Sequence, residues 1–351
     1  MKVFIILILT MIIIFDNVSG QETNPDMKYT KNNKKNLILV AITNYNWDNI
    51  AIFFRSYLKA NFENIDFVVY VHNMTENTIE KIKSCGTIVY PFPKEYEKVV
   101  IINSRWKIYS DFLKQNKEKY NQIFTGDVRD IYFQNDLFNY YKNVNKSFLG
   151  VAIEDGFLAQ DIHNRNWLIN AYGEELYKTI KNERIICVGT IWGTVDKFIE
   201  FSDIMWEKLS SEWSIKRKVI EQAVGNYIIY HDKMWKDSII FSNNINGPVM
   251  TIGLTNRCFI NFDSDNNILN IDGKIASVIH QYDRKEDINE IIINKYYPEL
   301  IEYRKYLKFT LTFCVIIIIC LCLICFLYFY KNKLTKDKKH NMCKNIFLIF
   351  I

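Results

Sequence analysis

Two periods of apolar and polar positions run through the chain. An unbroken apolar run at 37–42 has the length and composition of a strand covered on both faces, and the largely apolar stretches at 66–72, 87–90 and 122–125 read as further strands. Between them, 48–58 places Ile50, Phe53, Phe54, Tyr57 and Leu58 at helical spacing, and 75–84 opens on Thr75, a residue able to cap a helix. The stretch 103–120 sets Trp106, Tyr109, Phe112 and Leu113 on one helical face. Strand and helix thus alternate through the first half, which predicts an α/β fold with a mainly parallel central sheet.

The second half is less regular. It reads as a strand at 148–153, a polar loop holding Asp161, His163, Asn164 and Arg165, and a strand at 185–194 interrupted by Gly189 and Gly193. Such glycines let a backbone approach a bulky ligand closely. A helix at 196–209 follows, with Thr194 as its expected cap, then one at 216–230 on which Gln222 and Asn226 share a face and Glu221 lies beside them. A turn at 246–248, a strand stub at 249–252 and an apolar run at 277–279 lead to His280. From there to Lys308 the pattern is a charged, aromatic helix.

The ends set the compartment. An apolar run at 3–15 behind Lys2, closed by Val18-Ser19-Gly20, has the layout of a signal peptide over residues 1–20, with an uncleaved signal anchor as the alternative. Residues 21–35 form a polar leader. The uncharged stretch 309–330 is long enough for a hydrocarbon core that needs about 20 residues. Six lysines against Asp337 follow it, from Lys331 to Lys344, so the basic tail 331–351 is expected in the cytosol and the domain 36–306 in the lumen of the secretory pathway (ER or Golgi) or at the cell surface. Among the lumenal cysteines Cys85, Cys187 and Cys258, at most one disulfide can form. Asn73-Met74-Thr75 and Asn145-Lys146-Ser147 are glycosylation acceptors. A net charge of +5 over 351 residues gives no sign of a nucleic-acid partner.

The chemistry concentrates at 122–138. An apolar strand breaks at Gly126 and presents Asp127, Arg129 and Asp130 before a second run, Ile131-Tyr132-Phe133. Acids at the carboxyl end of a strand point into a crevice in α/β sheets, and paired carboxylates suit Mg²⁺ or Mn²⁺, which bridges to a diphosphate. No G-x-G-x-x-G follows the first strand and no G-x-x-x-x-G-K-[ST] occurs, which disfavours a dinucleotide fold and a P-loop ATPase.

Thr125-Gly126-Asp127-Val128-Arg129-Asp130 with Phe133-Gln134, the segment Gly189-Thr190-Ile191-Trp192-Gly193, Glu221-Gln222-Ala223 with Asn226, and Val278-Ile279-His280-Gln281-Tyr282-Asp283-Arg284 resemble a group of eukaryotic glycosyltransferase-like proteins. The resemblance covers about residues 37–284 and implies a nucleotide-diphospho-sugar transferase (GT-A-like) fold. It implies a nucleotide-sugar donor, a glycan or glycoprotein acceptor, and a divalent metal held by Asp127 or Asp130 with His280. The family's D-x-D is broken here by Arg129, which either faces the diphosphate or pairs with its neighbouring acids. Thr43, Asn44 and Arg105 are carried over as donor contacts beside Asp127, Arg129 and Asp130. Glu221 and Gln222 take the catalytic position facing the acceptor. Asp283 and Arg284 are placed to pair with each other. The competing expectations are a non-catalytic type I membrane protein built on a degenerate domain of this fold and, with least support, a lumenal hydrolase.

Overall fold

A computed structural model describes residues 34–96 and 100–349, so the signal peptide and nearly all of the polar leader lie outside the described residues. The chain begins with β1 (Lys35–Thr43), α1 (Trp47–Lys59), β2 (Ile65–His72), α2 (Glu76–Ser84) and β3 (Ile88–Pro91). Next come α3 (Ile101–Asn116), β4 (Tyr120–Gly126), β5 (Ile131–Phe133), α4 (Leu137–Tyr141), β6 (Leu149–Phe157), α5 (Ile162–Ile180) and β7 (Arg184–Thr194). The remainder is α6 (Val195–Leu209), α7 (Glu212–Arg217), α8 (Glu221–His231), β8 (Ile239–Ser242), β9 (Val249–Thr251), β10 (Asn261–Phe262), β11 (Ile268–Leu269), β12 (Val278–His280), α9 (Glu286–Tyr296) and α10 (Pro298–Ile349).

The main sheet has the order β3-β2-β1-β4-β7-β6-β8 and is mostly parallel, as the alternation predicts; β7 alone runs against its neighbours. Alternation along β1 divides the core. Leu37 and Leu39 meet Trp106, Tyr109 and Leu113 of α3 on one face, while Ile38, Val40 and Ile42 meet Phe53 and Phe54 of α1 on the other. Burying side chains of this size contributes roughly 1.5–3 kcal/mol each, so both layers are firmly held.

A second, three-stranded sheet sets β12 between β5, antiparallel, and β9, parallel. Gln134 ties it to the β10–β11 hairpin. Its amide donates to the carbonyls of Ile268 (2.9 Å) and Ala276 (2.8 Å), and its oxygen accepts from Ile268 N (2.7 Å).

Several local expectations are corrected. The helix expected over 103–120 is complete at Asn116, and Tyr120 already belongs to β4, extended and bonded through its hydroxyl to Asp66 (3.0 Å). The helix over 216–230 is two helices. Lys218 adopts a left-handed conformation (φ 52°) that closes α7 with bonds back to Ser214 and Ile215. This turn frees Val219 O to accept from Asn103 (3.0 Å) and starts α8 at Glu221. Thr194 stands at the start of α6 but bonds Phe148 instead of capping the helix. β6 runs past 153 to Phe157, carrying Glu154 within it. The segment to Lys308 breaks at Tyr297 into α9 and α10. Cys85 and Cys187 are buried, Cys258 is exposed, and none of the three forms a disulfide. Among the described residues, α10 is the one helix long and apolar enough to cross a membrane.

Candidate functional site

The acids sit where β4 stops. Asp127 N–H donates to Gly189 O on the adjacent β7 (2.9 Å), and Gln281 N–H, just past β12, donates to Asp130 O (2.8 Å). The acidic turn is therefore clamped between the two sheets. β12 pairs His280 opposite Ile131, which sets its ring beside Asp130. His280 Nε2 lies 3.3 Å from Asp130 Oδ1 and 4.0 Å from Asp127 Oδ2. One ligand atom from each of the three residues falls within 4.8 Å of the others.

These residues fit a divalent cation. Asp130 and His280 are 4% and 1% exposed, and Asp130 Oδ1 and His280 Nε2 are buried facing each other, with no hydrogen bond to any other group. Buried polar atoms so sparsely partnered are costly, and two oxygens with one imidazole nitrogen make a donor set suited to Mn²⁺ or Mg²⁺. Gly189 forms the floor. A Cβ there would stand 2.5 Å from Asp127 Oδ2 and 2.7 Å from His280 Cε1. Gly189→Ala is accordingly expected to push these groups apart and weaken Mn²⁺ binding at least about tenfold, the low end of what a displaced ligand environment costs. Calorimetric titration of a variant that melts like wild type checks this, and unchanged affinity refutes it.

Arg105 organises the electrostatics. It donates from Nε (3.0 Å) and Nη2 (2.5 Å) to Glu221, and from Nη1 to Asp127 Oδ1 (2.9 Å). Trp106 Nε1 adds a bond to Glu221 (2.7 Å). Burial pushes the Glu221 carboxyl up, to about 7, against Arg105, which holds it down. At Asp130, burial likewise works upward, but His280 and Arg129 outweigh it and keep the carboxyl below the ordinary range. Burial also works against a charged His280, and Cys187 and Asp130 overcome it, holding the ring well above the usual histidine range. Glu154, 5% exposed, is raised by burial.

Two cavities of about 280 Å³ each flank the cluster and share Asp127, His280, Gln281 and Arg284. The first opens beside β1 and α3 and is lined by Thr43, Tyr45, Arg105, Arg129 and Asp130. The second is lined by Glu154, Asp161, His163, Trp167, Glu221 and Gln222.

Most of the expected residues thus converge, with differences in what each does. Asn44 does not line either cavity; it accepts from Asn73 instead. Arg129 pairs with Asp283 (2.6 Å) and Asp130 (3.2 Å), so the Asp283–Arg284 pairing does not form, and Arg284 makes no ion pair or side-chain hydrogen bond among the described residues. Glu221 is committed to Arg105 and Trp106. Gln222 spends its amide on Ile186 O (2.7 Å) and Asn164 (3.1 Å), and its oxygen on Val188 N (3.1 Å). Both face the second cavity as supports for other groups. Tyr45, Glu154, Trp167 and Cys187 carried no expected role. Glu154 was legible only if the β6 pattern is followed past Ile153, and the others depend on tertiary placement.

No protein-family model matches the chain, and no curated protein matches it. Among solved structures it is similar to the galactosyltransferase LgtC in complex with donor and acceptor sugar analogues. That match has a TM-score of 0.39 and 14% identity, and covers 73% of this chain and 95% of that one. A likeness at this level carries no functional argument.

Proposed function

We propose that the chain is a membrane-bound glycosyltransferase of the secretory pathway, its GT-A-like domain lumenal, which moves a sugar from a nucleotide-diphosphate donor to a glycan or glycoprotein. The observation that carries this reading is the buried cluster of Asp130 and His280, set with Asp127 between two cavities at the strand ends. When bound, a divalent cation there would neutralise charge developing on a leaving diphosphate.

The chain's own groups divide the remaining work. In the first cavity, Thr43 and Tyr45 border the nucleotide, and the unpaired Arg284 offers a planar, permanently charged guanidinium to phosphate oxygens. In the second, Trp167 offers an aromatic face to an acceptor sugar, and Glu154 and Asp161 offer oxygens to its hydroxyls. Arg105 holds Asp127 Oδ1 and leaves Oδ2 toward His280.

One feature favours the non-catalytic alternative: Glu221 is engaged by Arg105 and Trp106, and Gln222 by Ile186, Asn164 and Val188, so both side chains serve the protein's own network. Calorimetry on the full chain in detergent, titrating UDP and GDP with and without Mn²⁺, separates the readings. Mn²⁺-dependent binding followed by turnover of the matching nucleotide sugar supports the transferase. A folded chain that binds neither nucleotide overturns it, and binding without turnover of any nucleotide sugar favours the alternative.

A further inference from the structure

His280 can face a cation through Nε2 only if that nitrogen carries no proton, and the tautomer of an imidazole is set by what its other nitrogen bonds. Nδ1 of His280 lies 3.2 Å from Cys187 Sγ, in the middle of β7. Cys187 is 2% exposed and lines the second cavity together with Glu154. The two nitrogens of the ring point away from each other, so this sulfur sits on the side remote from Asp127 and Asp130 and does not belong to their donor set. A thiol has one hydrogen and can also accept. With its own hydrogen turned away from the ring, the sulfur is free to accept Nδ1–H.

We propose that Cys187 is a positioning residue for the candidate metal centre: its sulfur accepts the Nδ1 hydrogen of His280 and so keeps Nε2 directed at Asp127 and Asp130. The proposal rests on the donor-site reading above. It explains why a thiol is buried against a ring whose other nitrogen faces the two acids. Histidine ligands are ordinarily oriented by a carboxylate or a carbonyl. Here a sulfur takes that place.

The test is calorimetric titration of Mn²⁺ into the full chain in detergent, for wild type, Cys187→Ala and Cys187→Ser, with thermal melting alongside. Cys187→Ala should weaken Mn²⁺ binding roughly 10–100-fold, the usual cost of losing an outer partner of a ligand. Cys187→Ser should stay within about threefold of wild type, because its hydroxyl can both give and accept as the thiol does. Mn²⁺ affinity equal in all three chains overturns the role of Cys187 and leaves the metal site standing. So does a loss in the alanine variant that the serine variant shares in full while both melt like wild type. A wild-type chain that takes up no Mn²⁺ overturns the donor-site reading and this proposal with it.

Discussion

Replacing His280 with alanine is expected to lower Mn²⁺ affinity by more than about 100-fold, since even an outer partner of a ligand is worth 10–100-fold. The nucleotide should then bind no better with Mn²⁺ than without it. The imidazole is the one nitrogen donor in the cluster, is 1% exposed, and is held by β12 between two partner strands. Its removal leaves Asp130 Oδ1 facing empty space while Arg129 still covers Oδ2. His280→Gln is the informative companion: it restores much of the volume and a polar atom without the ring's geometry, so it should fold better and still not bind. Calorimetry with a melting control reads both variants. Wild-type Mn²⁺ affinity in His280→Ala would remove the histidine from the site.

The second large effect is on stability. Glu221→Gln should cost about 3–5 kcal/mol, because breaking one side of a buried ion pair strands the other charge. Arg105 and Glu221 are 4% and 6% exposed, with two guanidinium bonds joining them and Trp106 adding a third to the carboxylate. Glutamine would turn an amide N–H₂ toward donors. Asp127, at 2.9 Å, would then be the remaining counter-charge for Arg105, and its carboxylate would be drawn away from His280. Mn²⁺ affinity should therefore fall as well, by less than in His280→Ala. The double variant Arg105→Met with Glu221→Met should recover stability, since a well-packed apolar pair often replaces a buried ion pair at little cost. Denaturant unfolding measures each step. A loss below about 1 kcal/mol for Glu221→Gln would mean the pair is worth no more than an exposed one.

What could be read in advance follows how local each determinant is. The apolar runs of β1, β2 and β4 and the helical spacing of α1 announce themselves within a few residues, and they suffice for the α/β class. The acids after Gly126 and the strand that delivers His280 were legible for the same reason. The partnerships that give those residues their roles were not. Arg105 and Glu221 lie 116 positions apart, and Cys187 and His280 are separated by 93. No periodicity links such pairs. The break at Lys218 was equally hidden, since a lysine has no preference for a left-handed turn and takes one there because the chain must re-aim to bury Glu221. Gln134 was noticed as part of a motif, but its use as a clasp on three backbone groups needs the neighbouring hairpin to be in view.

The helix α10 fixes a working distance. Ile301 is the last of its residues packed against the domain core, and the uncharged stretch begins at Phe309. At about 1.5 Å per residue, the helix between them spans roughly 12 Å. Once that stretch lies in a bilayer, the domain hovers above the headgroups at less than its own width, on a stiff post with no swivel. Bulky soluble partners would have to approach from the flank, whereas chains rooted in the same membrane would arrive already at the right height.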